Sequence, residues 1–287
     1  MVTNNWKKAL KFSELEDNVP KAVTINEEDI ILVKINSNIY AYGGSCPHYG
    51  APLAEGHLSG HELTCPWHNA RFDLKNGKML SPPALDDLPA YEVKIENDEI
   101  YIGGEKSKEI PVKGETDTSS GILIIGAGAA GNSAAETLRR EGFKGKITML
   151  TAEEDLPYDR PVLSKDYMAN TAEEEWVPLR SEEFYTQQGI DVLTGVRIKE
   201  LDIDEKSALA EDGKKFSYDK CLLATGGTPK TLDIPGVDKK YIFLLRSFKN
   251  ARDINNALDD AKNILVIGTG FIGLETAASL RERDKTV

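Results

Sequence analysis

Cysteine is scarce in this 287-residue chain: three residues, too few for a disulfide framework, and two of them sit in a pattern that reads better as metal ligation than as crosslinking. A reducing compartment is the expectation. Long hydrophobic runs are missing too. The longest, around residues 122–130, is about half of the ~20 residues that span a bilayer, so no membrane span is expected. The opening from Met1 to Trp6 lacks the basic-then-apolar order of a secretion signal, which points to the cytoplasm. Basic charge is in deficit: 35 Lys and Arg against 47 Asp and Glu give a net charge of -12, which repels phosphate backbones and anionic lipid surfaces. Nucleic-acid binding is therefore disfavoured.

What is present fits a soluble multidomain protein with length enough for two packed cores. Residues 23–102 alternate short β-type runs (30–33, 39–42, 91–95 and 99–102) with Gly, Pro, Asn and Asp, the pattern of a small all-β domain. Residues 105–120 are polar and aperiodic and read as a linker. From Gly121 the pattern becomes apolar run, glycine-rich turn, Ala-rich helix and apolar run, which opens an α/β unit with a parallel sheet. A second such opening starts at Asn263. The expected division is 1–104, linker 105–120, 121–262 and 263–287.

Cys46-Pro47-His48 and Cys65-Pro66-Trp67-His68 set two thiols and two imidazoles in paired loops, with 16 residues between His48 and Cys65. The pattern resembles the Rieske signature, in which two Cys hold one iron of a 2Fe-2S cluster and two His hold the other. The resemblance implies Cys46, His48, Cys65 and His68 as ligands. Cys2His2 is also a zinc set, although Cys-x-His is not finger spacing. His57 and His61 match no ligand position and read as solvated loop residues. High-potential relatives typically carry a further Cys in each loop and two hydroxyl donors to the cluster sulfurs. The matching positions here are Ala51, Trp67, Ala70 and Phe72, which implies a low-potential, ferredoxin-like cluster.

Gly126-Ala127-Gly128-Ala129-Ala130-Gly131 lies between a strand and a helix, where glycines let backbone approach a pyrophosphate and the helix N-terminus offers free N–H groups. Glu153 stands where a ribose-binding carboxylate is expected. Residues 156–165, ending in Ser164-Lys165, resemble ferredoxin-reductase and apoptosis-inducing-factor flavoproteins. That likeness implies FAD, with Arg160 and Lys165 touching the flavin. Ala224-Thr225-Gly226 resembles their strand-turn between domains, with Cys221 in a buried strand before it. Arg246 aligns with a residue near FAD, and Ile198 with one against the adenine. Gly268, Gly270 and Gly273 resemble the NAD(P)H turn, and Glu275 after it is expected to pair with Lys165. The alternative reading of Glu275 is a first-turn carboxylate favoured by the helix dipole.

The resemblance implies a member of the Rieske-containing, apoptosis-inducing-factor-like reductases, ending early in the nicotinamide domain. A chain ending there is expected to assemble its cluster while holding FAD and NAD(P)H poorly. The expected activity is electron transfer from NAD(P)H through FAD to the cluster and on to a redox partner such as an oxygenase. The alternative is a redox-sensing interaction flavoprotein whose Rieske domain docks a partner.

Overall fold

A computed structural model describes residues 6–106 and 121–287, in two compact units, Met1–Ile110 and Pro111–Val287. From residue 107 on, the expected linker lies outside the described residues.

The first unit is all β. It contains β1 (Lys7–Lys11), β2 (Lys21–Ile25), β3 (Glu28–Ile35), β4 (Asn38–Gly43), β5 (His57–Ser59), β6 (Glu62–Thr64), β7 (Arg71–Asp73), β8 (Lys78–Ser81), β9 (Tyr91–Glu96) and β10 (Glu99–Glu105). They form three antiparallel sheets in the orders β1-β10-β9, β2-β3-β4 and β5-β6-β7-β8. The pivot is β3, whose successive side chains point to opposite faces. Ile30 and Leu32 join Leu10, Ile100 and Ile102 in one core, while Ile31, Val33 and Ile35 join Leu63, Phe72 and Leu74 in another. Cys46 and Cys65 belong to the second core, which seats their loops. His57 lies in strand β5 rather than a loop, and His61 packs its ring edge-on to Tyr40, because the chain between the Cys loops pairs as a hairpin.

The second unit opens with β11 (Gly121–Ile125), α1 (Ala129–Arg140) and β12 (Lys146–Leu150), then α2 (Asp166–Ala169), α3 (Glu182–Gln188) and β13 (Ile190–Leu193). A three-stranded antiparallel sheet, β14 (Ile198–Asp202), β15 (Ser207–Ala210) and β16 (Lys215–Ser217), precedes β17 (Lys220–Leu223), α4 (Phe248–Leu258) and α5 (Phe271–Glu282). The main sheet is parallel, in the order β13-β12-β11-β17. Its central strands β11 and β12 are packed on both faces, as a parallel sheet requires, while Leu222 and Leu223 of β17 stay exposed. Ile124 packs with Ala135, Ile147 and Met149 on one side, and Leu123 and Ile125 with Leu150 and Ala208 on the other. Arg139 locks the end of α1 by donating to the carbonyls of Phe143, Gly145, Gln188 and Gly189 at 2.6–2.8 Å.

Two expectations are corrected here. Cys221 is half-buried, because among the described residues β17 has a neighbour on one side only. Residues 263–267 form no strand: a single parallel bridge joins Asn263 to Thr286, and Leu265 and Ile267 are 84% and 70% exposed. A parallel strand needs a ladder beside it, and that segment has one bridge. Its helix is nonetheless anchored. Arg283 donates to the Met168 carbonyl and Asn255 Oδ1, and Lys285 to the carbonyls of Leu258 and Ala261.

Candidate functional site

The two Cys loops are built alike. The N–H of Cys46 bonds the Ala51 carbonyl and that of Cys65 the Ala70 carbonyl, each at 2.8 Å. Each Cys carbonyl then accepts from the residue four places on, Gly50 or Asn69. Those two residues have φ of 72° and 61°, the left-handed turn that Gly and Asn adopt most readily. Asn69 escaped the motif reading, although its equal offset from Cys, matching that of Gly50, is visible in the sequence. The repeated turn brings His48 and His68 together, with their Nδ1 atoms 3.2 Å apart. A metal ion bonded to two imidazoles at ~2.0–2.1 Å in tetrahedral geometry separates their nitrogens by about 3.3 Å, so the pair is already spaced to share one ion.

Cys46 and Cys65 are buried, and their thiols are in mutual hydrogen-bonding reach. Burial pushes the Cys46 thiol up to about 11, and the backbone N–H groups of His48 and Tyr49 draw it back toward the thiolate. Such N–H donors suit a sulfur that carries charge. Among the described residues no three His, Cys, Asp or Glu side chains converge as a single-ion site. The donors stand instead as a sulfur pair and a nitrogen pair, which suits two irons with two protein ligands each. Tyr49 and Trp67 flank the histidines and are exposed.

In the second unit, the glycines of the first turn divide into two kinds. A Cβ at Gly126, where φ is 111°, would collide with the Ala224 carbonyl, and one at Gly131 with the Gly126 carbonyl. Those two are required by packing. Gly128, the N-cap of α1, has nothing within 4 Å of where its Cβ would stand. Its open backbone at a helix N-terminus is the cradle a pyrophosphate fills. The second turn repeats this: Gly273 would strike the Gly268 carbonyl, while Gly270, the N-cap of α5, faces open space.

Around the first turn, Glu153 accepts 2.6 Å hydrogen bonds from the Tyr158 hydroxyl and from Arg160. Arg160 also donates to the Tyr158 oxygen and to the Arg246 carbonyl. Arg246 reaches back to the Gly227 carbonyl at 3.1 Å, beside Ala224, Thr225 and Gly226. The structure thus gathers Glu153, Arg160, Arg246 and the 224–226 turn, and adds Tyr158. Ile198 is half-buried and packs on the core of Leu123, Ile125, Leu150 and Ala208. Lys165 and Glu275 meet at 3.7 Å. Glu275 is the fifth residue of α5, past the first turn, so the dipole reading does not account for it. Ser164, which carries no signal of its own in the sequence, donates to Glu275 at 2.7 Å.

A β unit with paired Cys/His loops, carried on one chain with a parallel-sheet unit whose glycine turns stand open, defines a redox protein with a cluster module and a dinucleotide module. Residues 5–92 match the Rieske 2Fe-2S domain, and residues 120–287 match the pyridine nucleotide-disulphide oxidoreductase family. The chain belongs to that family and carries a Rieske domain, which together imply a 2Fe-2S cluster, FAD and NAD(P)H. It is 38% identical over 286 residues to apoptosis-inducing factor 3 of Homo sapiens, covering 96% of this chain and 47% of that protein. Over 158 residues it is 38% identical to the ferredoxin–NAD(+) reductase component of a 3-phenylpropionate/cinnamic acid dioxygenase from Photorhabdus laumondii, covering 55% of this chain and 40% of the relative. The crystal structure of the ferredoxin reductase for the CYP199A2 system from Rhodopseudomonas palustris superposes with a TM-score of 0.56 at 33% identity, covering 58% of this chain and 41% of that one. The chain spans about half the length or less of these relatives. Among the described residues no helix is long and apolar enough to cross a membrane.

Proposed function

We propose that this protein passes electrons from NAD(P)H through FAD to a Rieske cluster and on to a partner protein such as an oxygenase, in the cytoplasm. The observation that carries the reading is one chain holding both open glycine turns and paired Cys/His loops whose two imidazoles stand 3.2 Å apart, spaced to share one ion. Relatives named as reductase components of oxygenases support the partner class, and three unpaired cysteines support a reducing compartment. The proposed domains are 1–104 for the cluster, 105–120 as linker, 121–262 for the first FAD segment and 263–287 for the start of the NAD(P)H segment.

Bound FAD supplies the change from two-electron to one-electron chemistry, and the cluster a one-electron relay. Cys46 and Cys65 hold one iron in this reading, His48 and His68 the other. Gly126, Gly128 and Gly131 admit the FAD pyrophosphate to the N-terminus of α1, and Glu153 takes the ribose hydroxyls. Arg160, Ile198, Ala224, Thr225, Gly226 and Arg246 shape the rest of the FAD site. Gly268, Gly270 and Gly273 admit NAD(P)H. The Lys165 ammonium favours negative charge on the flavin, with Glu275 as its counter-ion. The test is rapid mixing of the cofactor-loaded protein with NADH, following flavin and cluster absorbance together. Cluster reduction that keeps pace with flavin reduction is expected. A long-lived reduced flavin beside an oxidised cluster would instead mark a redox sensor.

A further inference from the structure

Glu275 is reached from two adjacent residues, and the two contacts differ in kind. Lys165 Nζ lies 3.7 Å from Oε1, with side chains 47% and 31% exposed, a spacing and exposure at which an ion pair orients little. The Ser164 hydroxyl lies 2.7 Å from Oε2, in a residue only 4% exposed. Its other acceptor, the Pro161 carbonyl, is at 3.3 Å, so its one proton goes to the carboxylate. The short bond from Ser164 therefore sets the direction of Glu275. One helical turn further on, the Ser279 hydroxyl donates to the Ser164 carbonyl at 2.9 Å. Ser164 thus donates to one residue of α5 and accepts from another four places along the same face.

We propose that Ser164 is a positioning residue: its hydroxyl holds the Glu275 carboxylate against Lys165, joining the helix that follows the second glycine turn to the segment carrying the flavin-side lysine. Without it a carboxylate 31% exposed swings toward water and Lys165 loses its counter-ion. The role for the flavin rests on the proposed placing of Lys165 and Glu275; the hydrogen bond itself does not.

Thermal unfolding of the 287-residue chain tests the coupling. Ser164→Ala and Glu275→Ala should each lower the melting temperature by about 2–4 °C, and the double variant should fall little further than the larger single loss. Additive losses would overturn the proposal. In FAD-loaded protein, Ser164→Ala should move the flavin midpoint potential in the same direction as Glu275→Gln. Ser279→Ala, which removes a bond between the same segments without touching Glu275, should lower the melting temperature and leave the potential in place. A potential that Glu275→Gln moves and Ser164→Ala does not would also overturn it. If Glu275→Gln leaves the potential alone while the unfolding losses stay coupled, the placing of Glu275 beside the flavin fails and the coupling to Ser164 stands.

Discussion

Arg160 and Glu153 face each other at 2.6 Å, and the Tyr158 hydroxyl bonds to both. Both oxygens of the proposed ribose acceptor are thus engaged by protein. That does not exclude a ligand: a carboxylate has about four acceptor positions, and these contacts use two of them. Arg160 and Tyr158 fix where the remaining lone pairs point.

Tyr158 is the joint of this arrangement, since its oxygen also accepts from the Phe248 N–H at the start of α4, at 3.0 Å. Tyr158→Phe keeps the ring and deletes the hydroxyl, leaving a buried N–H and part of an ion pair unsatisfied. A loss of about 1–3 kcal/mol is expected, read as a lower urea midpoint with an unchanged slope. A midpoint equal to that of the parent chain would show that the hydroxyl orders nothing.

The two kinds of glycine predict opposite phenotypes. Gly131→Ala forces a methyl onto the Gly126 carbonyl and should destabilise the second unit by about 1–3 kcal/mol or more. Gly128→Ala meets no protein atom, so stability should change by less than about 0.5 kcal/mol. Its methyl would stand where the pyrophosphate belongs, and FAD binding measured by flavin fluorescence should weaken at least tenfold relative to the parent. Parent-like FAD affinity in Gly128→Ala would remove this turn from the binding site.

Motifs were legible where chemistry restricts residue type at short range. The Cys and His pairs and both glycine turns fall in this class, and the Lys165–Glu275 pairing came through the family likeness. Contacts made between side chains far apart in the chain were not legible. Arg139 is an ordinary helix residue until four carbonyls surround it, and Tyr158 is a loop aromatic until Phe248 arrives 90 residues later. Strands β5, β6 and β7 are three residues long, too short for alternation to show. The apolar run 263–267 had the composition of a strand but pairs with too little chain to become one. Cys221 shows the same limit, because composition does not reveal which strand lies at a sheet edge.

Alkaline stability follows from the tyrosines. Burial is the largest cause raising Tyr42, Tyr158 and Tyr185 above the ordinary value of 10, and it pushes Tyr91 and Tyr167 up to about 12. The folded state then keeps its phenol protons while the unfolded chain releases them, so the unfolded state binds fewer protons above pH 10. Stability is fully present below that pH and declines as pH rises through the interval toward the folded values. The tyrosines should therefore lower urea midpoints beyond about pH 10, with the tyrosinate absorbance of these five appearing together with unfolding. Tyrosinate signal from all ten tyrosines before any loss of structure would contradict the burial.

The cluster potential is the sharpest test of the Cys/His reading. Ala70 and Phe72 are fully buried beside the second loop, and Ala70 accepts the Cys65 N–H. Neither side chain can donate a hydrogen bond, so the cluster sulfurs receive no hydroxyl from these two positions. A donor there would stabilise the reduced cluster, which carries one more negative charge, and so raise its potential. Ala70→Ser should therefore shift the midpoint upward in a redox titration followed by low-temperature EPR, with iron and acid-labile sulfide content unchanged. Cys46→Ser should lose most of both. Zinc without labile sulfide in the parent protein would dismiss the cluster altogether, whereas a midpoint unmoved by Ala70→Ser in a protein with full iron content would dismiss only the placing of residue 70 next to a sulfur.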